Sequence, residues 1–161
     1  MEHTHKSNLE RMIRLADEFF QAKSDPYQLS VDEKVIEQLY NLHPNTVAEE
    51  KDVNGPIAWT IVIPTTNEIM KRSLSAEINE QEILSLTKPQ AQYDAIYLCS
   101  ALVLPEYRRK GIAKRMLIDS IQAICSDHPI RTLFYWSFST EGERLAKAVA
   151  RELALPLLKR D

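Results

Sequence analysis

Apolar residues recur at helical spacing from the start of the chain, with Leu9, Met12, Ile13, Ala16 and Phe20 on one face. Ser7 followed by Glu10 is a capping-box pattern that sets the beginning of this first helix. After Asp25-Pro26, Ser30 and Glu33 repeat the box ahead of Val35, Ile36, Leu39 and Leu42, and Pro44 ends the second helix. The period then changes. Segments 46–50 and 57–63 are rich in strand-favouring residues and flank Asn54-Gly55, the dipeptide most typical of a tight hairpin, so they are expected to pair antiparallel. The stretch 64–92 is polar, with one short helical segment over 68–74 and another capped by Asn79 with Glu82. An excursion of this length between strands usually carries a lid, a pocket wall or a contact surface, the plain alternative being a solvated insertion.

Residues 95–104 are too continuously apolar for a strand with one wet face, which places them in the sheet interior as the central strand. From Gly111 the period is helical again, with Ile112, Met116, Leu117, Ser120, Ile121 and Ile124 along one face until Asp127-His128-Pro129. Segment 131–138 reads as another buried strand. Thr140 with Glu143 is the expected cap of a last helix, whose inner face is Leu145, Ala148, Val149 and Leu153. Pro156 stops it, leaving 157–159 for a short final strand. The order of elements predicts a single α/β (α+β) domain over 1–161, in three layers, with a central mixed sheet and helices on both faces.

Composition narrows the function classes. The 161 residues suffice for one core, and 44% apolar with 27% charged residues is ordinary for a globular protein. No apolar run approaches a membrane span and residues 1–6 are polar with no signal-peptide core behind them, so the expected setting is cytoplasmic, away from a membrane. Cys99 and Cys125 are far apart and His3 and His5 sit at a terminus, so no metal site is expected. The net charge of -3 is unevenly divided: residues 1–93 hold 9 basic and 15 acidic side chains, residues 94–161 hold 11 and 8. An anionic ligand suits the second half and a cationic one the first. Nucleic acid is not an expected partner, because the basic residues concentrate in one turn.

That turn carries the candidate chemistry. In Val103-Leu104-Pro105-Glu106-Tyr107-Arg108-Arg109-Lys110-Gly111-Ile112-Ala113-Lys114-Arg115 a buried strand passes through a tight turn into a helix, and five of the last eight residues are basic. Cations at a helix N-terminus oppose the helix dipole by roughly 0.3–1 kcal/mol each. A bound phosphate reverses that sign, because free N–H groups, dipole and side chains then all favour it. Gly111 and Ala113 leave room for a ligand to approach the backbone. A solvated basic patch is the plain alternative, and position argues against it: mixed sheets bind ligands at the carboxyl ends of their strands. Neither the Gly-x-x-x-x-Gly-Lys-Ser/Thr loop nor Gly-x-Gly-x-x-Gly is present.

These residues resemble the GNAT superfamily of acetyl-CoA-dependent N-acyltransferases. Arg108-Arg109-Lys110-Gly111-Ile112-Ala113 matches the family's Gln/Arg-x-x-Gly-x-Gly/Ala pyrophosphate loop, Val103-Leu104-Pro105 stands before it, and Leu153-Ala154-Leu155 takes the place of a frequent Leu-Gly-Phe. The resemblance runs from the hairpin around Asn54-Gly55 to this last motif, leaving out 64–92 and the two ends. It implies that acetyl-CoA is the co-substrate and an amine the acceptor. Backbone groups of Leu102, Val103 and Leu104 would hold the pantetheine arm. Those of Arg108, Arg109, Lys110, Gly111, Ile112, Ala113 and Lys114 would hold the pyrophosphate. The amine would attack the thioester directly, with an N–H near Val103 on the oxyanion.

Several positions depart from that pattern. The last-helix Tyr that protonates the thiolate in many members is Ala150 here, and the cofactor-touching Asn upstream aligns with Glu143. Tyr97 stands where one branch of the family has a catalytic Glu; it is the catalytic candidate, as a proton relay through water, or else a packed aromatic with its hydroxyl satisfied. Glu68 and Asp94 are further base candidates. The outer strands of the family are expected to be shortened or missing, and the exposed sheet edge to be covered by the 64–92 excursion or by a second subunit in a homodimer. An N-acetyltransferase is therefore expected, with an acyl-CoA-binding or sensing module as the alternative.

Overall fold

The computed structural model describes residues 7–22, 33–136 and 139–161, with side chains of 19–22 outside the description. Features expected at His3, His5, the Phe20 side chain, Asp25-Pro26, Ser30 and positions 137–138 lie outside the described residues. The order is α1 (Asn8–Ala22), α2 (Glu33–Leu42), β1 (Val47–Asp52), β2 (Gly55–Thr65), α3 (Asn67–Leu74), α4 (Glu80–Leu86), β3 (Ala95–Val103), α5 (Ile112–Asp127), β4 (Thr132–Trp136), α6 (Thr140–Leu153) and β5 (Leu157–Arg160). A 3₁₀ turn, Pro105–Tyr107, joins β3 to the loop before α5.

The five strands form one mixed sheet in the order β1-β2-β3-β4-β5. β1, β2 and β3 are antiparallel, whereas β3, β4 and β5 run parallel, each parallel step being made through a helix. The expected central strand is thus β3. Because successive side chains alternate across a sheet, Ile61, Ile63, Tyr97 and Phe134 pack against α2, α3 and α4 on one face. Val62, Ile96 and Leu133 pack against α5 and α6 on the other. The expected α/β architecture with helices on both faces is present. α3 also lies against β5, so part of the 64–92 excursion covers an outer strand.

Local signals explain most boundaries. Ser7 Oγ accepts the Glu10 N–H at 3.2 Å at the start of α1. Asn79 and Glu82 form both halves of a capping box on α4. Three expectations need correction. α1 turns Met12 fully inward but leaves Leu9 and Ile13 each 48% exposed, since Asn8 and Arg11 on the same helix are tied to polar partners. Val53 and Asn54 form the hairpin turn, and Gly55, at φ 118°, opens β2 opposite Asp52. The cap of α6 is Ser139, whose Oγ accepts the Gly142 N–H at 3.0 Å; Thr140 is the first helical residue, and Glu143 is engaged elsewhere.

Candidate functional site

Two irregularities in β3 create the site. Ser100 pairs with Ile61 and Leu98 with Val62, so Cys99 is an extra residue on β3, a bulge that increases local twist. On its other side, among the described residues, β3 pairs with β4 from Ala95 to Leu98, the pair of Leu98 with Tyr135 being the last. Residues 100–103 of β3 have no strand partner on that side among the described residues, although the backbone there still carries donors and acceptors.

Beside this edge lies a cleft of about 1220 Å³. Leu98, Cys99, Ser100, Ala101, Leu102 and Val103 of β3 form its floor, with the turn and first residues of α5 at one end. Tyr135, Trp136 and the first two turns of α6 form the opposite wall. Of the residues expected to hold the cofactor, Leu102, Val103, Arg108, Arg109, Gly111, Ile112, Ala113 and Lys114 all line the cleft. Leu104 and Lys110 do not. Leu104 is buried beneath, its N–H bonded to Ile57 O at 2.9 Å, and the Lys110 ammonium lies 5.6 Å from the Tyr107 ring centre.

The loop is built to present backbone N–H groups. Arg109 (φ 64°) and Gly111 (φ 76°) are both left-handed, an alternation that turns neighbouring N–H groups towards one concavity. Nothing lies within 4 Å of where a Gly111 Cβ would sit, so what Gly supplies there is backbone conformation with open space beyond. The first amide–carbonyl bond of α5 runs from Arg115 to Gly111, and no side chain caps the helix. Among the described residues, the N–H groups of 109–114 find no hydrogen-bond acceptor.

The flank of this loop is braced from outside the cleft. Arg11 of α1 grips Glu106 with two hydrogen bonds of 2.7 and 2.6 Å, and its guanidinium draws the Glu106 carboxyl down to about 2. The Tyr107 hydroxyl donates to Asp52, which also accepts the Asn54 N–H at 2.7 Å and the Asn8 amide at 2.9 Å. These bonds, led by that from Tyr107, lower the Asp52 pKa. The basic side chains divide their duties: Arg108 Nε donates to Val103 O at 2.9 Å, Lys114 pairs with Glu152 at 3.1 Å and Arg115 with Glu50 at 3.3 Å. The five cations of the turn are not all directed at one anion.

Tyr97 takes the packed state. It is 2% exposed, does not line the cleft, and its hydroxyl donates at 2.6 Å to Glu80, a fully buried carboxylate of α4. Burial first, then the Glu80 charge, push its phenol pKa well up. Asp94 precedes β3 at the end away from the cleft and accepts the Asn67 N–H at 2.6 Å; Glu68, exposed on α3, is also outside the cleft lining. On α6 the cleft meets Leu145 and Ala146, while Ala150 lies in the core beneath.

Sequence reasoning did not select Tyr135, Trp136, Ser139 or Gly142 as site residues, yet all four line the cleft. The one local signal was Ser139 three residues before Gly142, legible as a cap but not as a wall. Tyr135 donates to Glu143 at 3.2 Å, and Glu143 also pairs with Lys159 at 2.9 Å and Lys147 at 3.8 Å. Among the described residues no group of three His, Cys, Asp or Glu side chains could hold a metal, and no helix is long and apolar enough to cross a membrane.

No protein-family model matches the chain, and no curated protein matches it significantly. Among solved structures it is similar to Chaetomium thermophilum Naa20, crystallised in complex with a bisubstrate analogue, at 19% identity and a TM-score of 0.40. The match covers 74% of this chain and 54% of the other, so the chain spans about half the length of that structure. A likeness at this level fixes neither family nor activity.

Proposed function

We propose that the chain is an acyl-CoA-dependent N-acyltransferase that carries an acetyl group from acetyl-CoA to a primary amine. The observation that carries this reading is the joining, in one cleft, of the β3 edge at 100–103 and a run of N–H groups at a helix start, neither of which has a backbone partner among the described residues. An extended arm bearing amide groups can pair with the edge of β3 as an added strand would. A pyrophosphate at its end meets the amides of 109–114 and the α5 dipole. CoA has both parts in that order, and the GNAT resemblance of the same residues implies the same ligand. The single domain and the amine acceptor belong to this reading as well.

Chemistry then needs little from side chains. Holding thioester and amine together removes much of the entropic barrier, and an N–H near Val103 favours the oxyanion of the tetrahedral adduct. The neutral amine attacks, and its surplus proton passes to water. Tyr97 is not needed for that step, its hydroxyl hydrogen being directed to Glu80. Glu18 and Glu141 line the cleft and give a cationic amine two carboxylates to approach.

Calorimetric titration with CoA, followed by acetyl-CoA turnover against a panel of amines, tests the reading. Micromolar binding with transfer to at least one amine is expected. Binding without transfer would leave an acyl-CoA-binding module, which the alanines of α6 would suit. No binding would sink both.

A further inference from the structure

Within that reading of the cleft, we propose that the Tyr135 hydroxyl protonates the departing thiolate, from β4 instead of from the last helix. The α6 residues that line the cleft are Glu141, Gly142, Arg144, Leu145 and Ala146; an exposed carboxylate such as Glu141 is ionised at neutral pH, a guanidinium holds its proton too tightly to give it up, and the other three carry no transferable proton. Among the described residues Tyr135 ends the β3–β4 pairing, so its ring stands where the acyl end of an arm laid along β3 would stop. It is 5% exposed, which shields the phenol from solvent.

The other hydroxyls of the cleft are less suited. Tyr107 donates to Asp52, and Ser139 caps α6. The Ser100 hydroxyl is an aliphatic alcohol, far less acidic than a phenol. The Tyr135 hydrogen bond to Glu143 is 3.2 Å, longer than the usual 2.7–2.8 Å between oxygens, so its hydrogen is weakly held. Lys159, 2.9 Å from Glu143, offsets part of the negative charge beside the phenol. Burial, followed by Glu143, keeps the phenol pKa above its ordinary value, and the group therefore holds its proton at neutral pH, as an acid must.

The step balances. The amine nitrogen bonds to the thioester carbonyl carbon, the C–S bond breaks, and sulfur takes the phenol proton. The surplus proton on nitrogen passes to water, and once CoA has left, water that enters the open cleft returns a proton to the phenolate.

The test compares wild type with Tyr135→Phe on two donors, acetyl-CoA and its selenoester analogue, whose selenolate is a far weaker base and leaves without a proton. Tyr135→Phe is expected to lower kcat about a hundredfold with acetyl-CoA, the low end of general acid catalysis because thiolates already leave well. With the selenoester the loss should shrink to a few-fold, while CoA affinity by calorimetry stays unchanged. Equal losses with both donors would show that the ring only supports the wall and would overturn the proposal, as would full activity with acetyl-CoA. A wild type that binds no CoA or acylates no amine overturns the transferase reading itself, before the variant is compared.

Discussion

The two faces of the sheet treat polar groups in opposite ways. Towards α5 and α6, among the described residues, the pairing of β3 with β4 ends at Leu98 and the following loop leaves N–H groups without acceptors. Towards α2, α3 and α4, a deeply buried carboxylate, Glu80, is met by the Tyr97 hydroxyl inside a closed apolar cluster. Unsatisfied backbone donors cost free energy that only water or a ligand returns, whereas a satisfied buried pair asks for no ligand. In the proposed reading the first face binds, and the second holds its shape.

The largest effect should come from filling the open face. Gly111→Trp is expected to weaken CoA binding by at least a hundredfold in calorimetry, since its side chain would extend into the space above the loop. Unchanged affinity would move the cofactor elsewhere. On the closed face, Tyr97→Phe should lower the unfolding free energy in urea by about 1–3 kcal/mol, the loss of one buried hydrogen bond to a carboxylate. CoA affinity should not change. Lost turnover at unchanged stability would instead make Tyr97 a participant in proton transfer.

Left-handed backbone separates the regions further. Arg109 borders the cleft, but Ala154, at φ 56°, only ends α6. Ala154→Gly is expected to raise stability by about 1 kcal/mol with no effect on CoA binding, measured by thermal unfolding and calorimetry. The smallest effect concerns the brace. Glu106 has a lowered carboxyl pKa, so its ion pair with Arg11 contributes fully above the unfolded value near 4.3 and is lost as pH falls towards about 2. Both groups are well exposed, so the contribution is small and salt-sensitive. Urea midpoints of wild type and Glu106→Gln should differ slightly at pH 6 and converge at pH 2.

The legible features were those that neighbouring residues decide. The capping box of Asn79 and Glu82, the change of period after Gly111 and the buried run that became β3 can each be read within a dozen residues. So could the turn of basic residues at the end of β3, most of which reached the cleft. Ser139 and Thr140 offer similar hydroxyls to the start of α6, and only backbone conformation makes Ser139 the cap. The helical spacing of α1 is legible too, but which of its apolar residues are buried is not, because a helix laid on a sheet buries only the strip that the contact admits.

The sequence by itself determined the kinds and order of the elements and the character of the loop at 102–114, because hydrophobic period, capping and glycine conformation are local properties. Only the tertiary structure decided that β3 bulges at Cys99, that its pairing with β4 among the described residues ends at Leu98, and that Tyr135 lines the cleft beside that end. Those outcomes depend on how strands distant in sequence share their hydrogen bonds, and pairing between distant strands has no signature in either strand alone.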